Sequence, residues 1–457
     1  MANIATSGVY HPQPQCRLLT IAPEIRNQVY DLLFTIATGD DSVKLCSIRN
    51  PITRHSHPAN LTSPSVLVLL QTCRQVLNEA ECIFFHINHF ELDCYAVGEF
   101  SVRSQDFGQF ACSMTIIGFA ISQPTTFDCF IATGNQGAAV IKYFQQHVPL
   151  YKLRGTTRNP SSDAAVALTK SGIEVVKADA NDVDSLKAAL QGADAVFAYT
   201  TFSGILQTPE IMGKVMAGKL PPPVGQYAFE VEVQQGKNIA DAAATVPGLE
   251  RLVWSSLSGV KKWSKGKYTQ GFHFDSKEVV REYMNSLEPL KGNVSCLQMG
   301  AFADNMVNMP DRFGLTKADG QLRWAYPISG SIKTPWIDVD RDTGAFVNAL
   351  LEAPGGTQVV GASEYLNGSE YFKLLCDHLG AKGTYTEVPF DSIVSDDPTG
   401  FKLELAQVYA FVNEFGYDGG DPEVVTADEL EERGYKVPRS KIVDHIKRSN
   451  WSHLAVA

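Results

Sequence analysis

Two kinds of hydrophobic pattern divide this chain. Over residues 17–34, apolar side chains recur at Leu18, Ile21, Ile25, Val29, Leu32 and Leu33. That spacing of three to four predicts a helix with one buried face, with Pro23 in its first turn. Residues 63–85 predict a second helix, opened by Ser63-Pro64 and carrying Leu69, Leu70, Cys73, Val76 and Ala80. NHFELDCYAV (88–97) then alternates as a strand does. From about residue 114 the texture changes. Candidate strands MTIIGFA, FDCFIATG, LYKLRGTTR, IEVVKADA, DAVFAYTTF and RLVWSSLSG are interleaved, after the second, with candidate helices GAAVIKYFQQH, SSDAAVALTKSG, DVDSLKAALQGA and VEVQQGKNIADAAATV. Strands alternating with helices of about ten residues or more predict a doubly wound parallel α/β sheet with right-handed connections.

Composition narrows the classes. The chain has 457 residues, 44% hydrophobic and 19% charged, enough for two or three domains. A net charge of −11 argues against coating nucleic acid, which needs a basic face. No apolar run is long enough to span a bilayer, and MANIATSGVYHPQPQC lacks a basic start and apolar stretch. The expected location is the cytoplasm, with the nucleus as the alternative. The 9 cysteines include no CxxC pair and no histidine at ligand spacing, so buried free thiols are expected and no metal site.

The chemistry centres on IATGNQG, residues 131–137. In a parallel sheet the first strand-to-helix turn holds a pyrophosphate: glycines allow the tight turn, and the helix N-terminus favours the negative charge. Gly134 and Gly137 have the right spacing, with Ala132, Thr133, Asn135 and Gln136 between and around them. Arg158 lies just past the second strand, where a guanidinium can fork onto a ribose 2′-phosphate. The third strand ends at Asp179-Ala180 and the fourth at Thr200-Thr201-Phe202, the strand ends at which such folds bind ligands.

ATGNQGAAVIKYF, TTRNPSS, EVVKADANDVDSLKAALQGADAVF, EVEVQQGKNIADAA, HFDSKEVVREYM and GAFADNM resemble, in order, the segments of NmrA-like proteins, atypical short-chain dehydrogenase relatives. The resemblance runs from about residue 128 to the C-terminus. It implies a Rossmann-type domain, NADP(H) binding and a smaller substrate-side α/β region. It assigns Ala132 to Gly137 to the phosphates, Arg158 to the 2′-phosphate, and Asp179, Ala180, Thr200, Thr201 and Phe202 to adenosine and ribose. Lys237, Lys277 and the Ala303-Asp304-Asn305 stretch match as well. The N-terminal strings IAPEIRNQVY and LLQTCRQVLNEA resemble a small fungal α+β domain of unknown role. The expected domains are therefore 1–112 and 113–457, the latter with a core over about 114–310 and a smaller region over about 311–457.

Two departures matter. The family reads TGATGNQG at the loop, whereas here Ile131 stands at the first glycine and the first strand is split. A β-branched residue does not cheaply adopt φ > 0. A real fusion with a looser loop and a misjoined exon over about 119–131 both account for this. The second departure is catalytic. An active short-chain dehydrogenase carries Ser, Tyr and Lys, with Tyr and Lys four apart on one helix face. Here Ser255 and Ser256 lie near the serine position, Lys277 is kept, and His273 occupies the tyrosine position. In one reading Lys277, or His273 through a water, is the acid–base group, since imidazole titrates near neutrality. In the other, Lys277 holds ribose and His273 lines the site. The spacing gives no reason to prefer Tyr268 or Tyr283.

Residues 202–230, with Pro221-Pro222-Pro223, predict an irregular loop placed as a substrate lid. RWAYPISGSIKTPWIDVDRDTGAFVNALLEAP resembles the family's return to the main sheet, with Asp338 to Asp342 opening a helix. GSEYFKLLCDHLG and LELAQVYAFVNEFG predict amphipathic helices of the smaller region. ADELEERGYKVPRSK predicts a solvated helix and turn. Together these point to an NADP(H)-binding oxidoreductase acting on a small metabolite of fungal secondary metabolism. The competing reading is a non-catalytic NADP(H)-sensing regulator with a protein partner in transcriptional control.

Overall fold

The computed structural model describes residues 42–49, 58–62, 91–93, 126–148, 151–220, 223–394 and 400–454. The chain divides into two units, Met1–Gln123 and Pro124–Ala457. In the first, strand Ser42–Arg49 pairs antiparallel with both Pro58–Thr62 and Glu91–Asp93. The last of these falls within the predicted strand 88–97. The two predicted N-terminal helices and MTIIGFA lie outside the described residues.

The second unit is built on eight strands: β1 (Thr126–Cys129), β2 (Lys152–Thr157), β3 (Glu174–Lys177), β4 (Ala195–Ala198), β5 (Arg251–Ser256), β6 (Val294–Met299), β7 (Gln358–Gly361) and β8 (Val424–Val425). They form one sheet in the order 3-2-1-4-5-6-7-8. Every neighbouring pair is parallel. Between β1 and β4 the order reverses, which opens a crevice at the carboxyl ends of those strands.

Period-two alternation packs both faces. Phe127, Phe197, Val253 and Leu297 join one core cluster with Phe346 and Leu350. Val196, Ala198, Leu252, Trp254 and Cys296 turn to the opposite cluster, with Ile239 and Val280. The helices framing these faces are α1 (Asn135–His147), α2 (Asp163–Lys170), α3 (Val183–Leu190), α4 (Phe202–Leu206), α5 (Pro209–Met216), α6 (Val224–Ala244), α7 (Phe272–Ser286) and α8 (Val339–Glu352). Later in the chain come α9 (Phe401–Phe415) and α10 (Ile442–Arg448). None of the described helices is long and apolar enough to cross a membrane.

The smaller region carries its own sheet, in which Gln321–Tyr326 pairs antiparallel with Leu315–Ala318 and parallel with Gly383–Glu387. Its aromatic core includes Trp324, Trp336 and Tyr371.

Two expectations are corrected. Residues 202–230 are largely helical. Thr201 caps α4 through Gly204 N–H, and Thr208 caps α5, where Pro209 takes the first helical position. Helix α6 begins at Val224, directly after Pro223, seven residues ahead of the predicted start. The segment 427–441 is only partly solvated. Leu430 and Val437 are fully buried, and Ser440 N–H donates to Asp342 Oδ1 at 3.0 Å.

Candidate functional site

The loop between β1 and α1 is held from several sides. Ile131 adopts φ 55°, the left-handed conformation that costs a β-branched residue on the order of 1–3 kcal/mol. Its neighbours over-determine it. Ile131 N–H donates to Thr156 Oγ1 at 3.2 Å, and Ala132 N–H to the Thr156 carbonyl at 2.9 Å. The Ile131 carbonyl accepts from Gly134 N–H and from the Tyr199 hydroxyl, each at 3.0 Å. Gly137 is required by space, since a Cβ there would stand 2.4 Å from the Ile131 carbonyl oxygen.

Helix α1 starts without a side-chain cap and without an acidic residue in its first turn. Its leading N–H groups, together with the helix dipole, therefore face whatever lies ahead of it. That is a pocket of about 530 Å³, lined at this end by Ile131, Gly134, Asn135, Gln136 and Tyr199. Gln136 Oε1 is buried there without a hydrogen-bond partner.

The opposite wall is assembled from distant elements. Lys277 on α7 is buried, and Nζ donates to the Thr200 carbonyl at 2.7 Å, to Thr200 Oγ1 at 2.6 Å and to Glu232 Oε1 at 2.5 Å. Glu232, on α6, is fully buried and also accepts from the Ser276 hydroxyl at 2.5 Å. Burial pulls the Lys277 ammonium below its usual range, opposed by the Glu232 charge. One turn before it, His273 turns its ring into the pocket, beside Phe202 and Phe274. His273 Nδ1 lies 2.7 Å from Glu404 Oε1, on α9. Beyond these groups the pocket is apolar and ring-lined, with Phe302, Tyr326, Trp336, Phe401 and Tyr409 among its walls.

Of the residues singled out from sequence, Gly134, Asn135, Gln136, Thr200, Thr201, Phe202, Ser255, Ser256, His273, Lys277 and Asn305 line this pocket. Ala132, Thr133 and Gly137 lie behind it in the loop, where Thr133 Oγ1 is 3.4 Å from Thr157 Oγ1. Arg158 is exposed at the end of β2. Asp179 closes a turn, accepting from Asn181 N–H at 2.9 Å, and the Ala180 carbonyl accepts from Asn238 Nδ2 at 2.8 Å. Lys237 lies over the Tyr283 ring at 5.1 Å, away from the pocket lining. Ala303 is core, and Asp304 Oδ1 is 3.2 Å from His445 Nε2, which holds its carboxyl below the usual range. Tyr268 and Tyr283 bond Glu414 and Asp241, also away from the pocket lining.

The sequence reading missed Tyr199, Glu232 and Glu404. Both glutamates carry a signal: each interrupts a buried helical stripe. Glu232 stands with Ala228, Gly236, Ile239 and Ala243, and Glu404 with Val408, Phe411 and Val412. A carboxylate in such a stripe needs a buried partner.

The model of the NmrA-like family matches residues 126–445. The NmrA-like family domain-containing oxidoreductase ptmS of Penicillium ochrochloron is 28% identical over 49% of this chain. That match spans 63% of ptmS, less than two thirds of its length. The oxidoreductase malD of Malbranchea aurantiaca is 26% identical, over 61% of this chain and 80% of its own. Among solved structures, the negative transcriptional regulator NmrA in complex with NADP superposes with a TM-score of 0.52 at 18% identity. That superposition covers 72% of this chain and 95% of the regulator. The same regulator in complex with NAD gives 0.53 at 18% identity, with the same coverage. A family match across nearly all of the α/β unit leaves one assignment: this chain belongs to the NmrA-like family.

Proposed function

We propose that this chain is an NADP(H)-dependent oxidoreductase acting on a small, apolar, ring-bearing metabolite. One observation carries the reading: the uncapped N-terminus of α1 opens into the same pocket as buried Lys277, His273 and an aromatic chamber. The residues present suit a dinucleotide. The α1 N–H groups and the partnerless Gln136 Oε1 offer donors and an acceptor at one end, and Gly137 keeps the loop backbone close. Gly134 to Gln136 would hold the pyrophosphate, Arg158 the 2′-phosphate, and Thr200 to Phe202 and Asn305 the nucleoside portions. Such a cofactor supplies or takes a hydride when bound.

The chain's own residues do the rest. Lys277 fixes the carbonyl and hydroxyl of Thr200, so the end of β4 borders the pocket in one geometry. His273 presents to the pocket an imidazole ring, whose two nitrogens can donate and accept a proton. The aromatic walls exclude water and select for flat apolar surface. The first 112 residues would act as an interaction module, in the cytoplasm or nucleus.

A second reading has its own support. All three Lys277 protons are engaged by the protein, which suits binding without turnover. On that reading the chain senses NADP(H) and reports it to a protein partner. The test titrates wild type and Arg158→Ala with NADPH and with NADH, then follows NADPH consumption with a panel of aromatic carbonyls and enones. The oxidoreductase reading expects Arg158→Ala to weaken NADPH by roughly fivefold, about 1 kcal/mol, and NADH not at all. Binding without consumption of any panel member would favour the sensor.

A further inference from the structure

We infer that Glu404 is the positioning residue for His273, fixing the imidazole as the Nδ1–H tautomer so that Nε2 is the nitrogen that exchanges protons in the pocket. This rests on the oxidoreductase reading and adds a residue from the far side of the cleft. His273 is the second residue of α7, and its backbone N–H is one of those a helix start leaves without an intrahelical partner. That N–H donates to Glu404 Oε1 at 2.9 Å, and Nδ1 stands 2.7 Å from the same oxygen. An oxygen already accepting the backbone N–H acts as acceptor toward the ring as well. Glu404 Oε2 is buried without a hydrogen-bond partner, and with or without a proton there Oε1 still accepts. Nδ1 therefore donates, and Nε2 is the bare nitrogen.

The clamp is enclosed. Glu404 is 1% exposed, and the ring sits between Phe202 at 5.8 Å and Phe274 at 4.8 Å. Gly225 leaves space for Phe272 and for this carboxylate: a Cβ there would stand 2.6 Å from Phe272 Cδ2 and 3.0 Å from Glu404 Oε2. The other ionisable groups lining the pocket are poor proton donors to a substrate. The Lys277 protons are all taken. The phenols of Tyr199, Tyr326, Tyr409 and Tyr417 are pushed up by burial. Arg312 lays its guanidinium over the Phe401 ring at 4.7 Å. In the reductive direction a substrate carbonyl takes a hydride from reduced nicotinamide at carbon, and its electron pair moves to oxygen. The Nε2–H bond of the imidazolium breaks as the O–H bond forms. The ring is left as the neutral Nδ1–H tautomer beside the Glu404 carboxylate and regains its proton from water.

The test is nitrogen NMR on the full chain labelled at histidine, with the His273 signals assigned by their loss in His273→Gln. The Nδ1–H tautomer is expected in wild type and in Glu404→Gln, which keeps an oxygen acceptor. It is expected to be lost in Glu404→Met. Should that variant not fold, Glu404→Asp withdraws the acceptor by one methylene and is expected to lose the preference too. With phenanthrenequinone as the probe electrophile and NADPH as reductant, His273→Gln should lower kcat by about 100-fold while NADPH affinity holds. An Nε2–H ring in wild type, an unchanged tautomer in Glu404→Met, or an unchanged kcat in His273→Gln would overturn the inference. Failure of wild type to bind NADPH would instead sink the oxidoreductase reading, and the tautomer in the free protein would still decide the Glu404 assignment.

Discussion

The two ends of the pocket are built differently. At the α1 end the groups that matter, Ile131 to Gly137, are consecutive, and their geometry comes from a tight turn and a helix start. At the other end Thr200, Glu232, His273, Lys277 and Glu404 come from four elements spread over two hundred residues. The first end tolerates a poor residue, because its neighbours impose the turn on Ile131. The second is two sets of largely buried polar groups, Thr200–Lys277–Glu232 and His273–Glu404, where one deletion strands its partner. A local motif is robust and legible; a long-range network is fragile and hidden.

The largest effect should come from cutting the network. Lys277→Met leaves Glu232 charged and unpaired in the core, and should cost about 3–5 kcal/mol in urea unfolding. Adding Glu232→Leu should recover much of that loss. A double mutant no more stable than the single would mean the pair is not coupled.

Under the loop, Asp128 on β1 is fully buried beside Arg154 at 3.1 Å, and burial pushes its carboxyl up to about 7. The folded state thus holds a proton that the unfolded chain has lost. Its contribution is complete below the ordinary carboxylate range and disappears as pH rises through about 7. Stability should fall across that interval in wild type, and the slope should flatten in Asp128→Asn, as read from urea midpoints at several pH values.

Gly137→Ala sets a Cβ against the Ile131 carbonyl and should cost about 1–3 kcal/mol, with NADPH binding lost alongside. The smallest effect sharpens the comparison most. Ile131→Gly removes the left-handed strain and should tighten NADPH by roughly fivefold, about 1 kcal/mol, with little change in unfolding because glycine loosens the unfolded chain. Unchanged affinity would mean the neighbours already hold the loop in its binding form.

Much was legible without coordinates. Period-two apolar runs alternating with helical stripes specified the parallel sheet, and glycine spacing located the tight turn between β1 and α1, since both are rules about neighbours in sequence. Arg158 and Lys277 were readable as candidates in the same way. The helical character of 202–230 was concealed by its prolines and glycines, although Thr208-Pro209 is a helix start. Pairings depended on the fold alone. Lys277 meets Glu232 because α6 and α7 pack side by side, and His273 meets Glu404 because α9 closes over the start of α7. The sequence by itself determined which side chains are costly to bury. Only the tertiary structure decided which of them meet, because a buried charge is satisfied by whatever the packing brings within about 3 Å, at any distance along the chain.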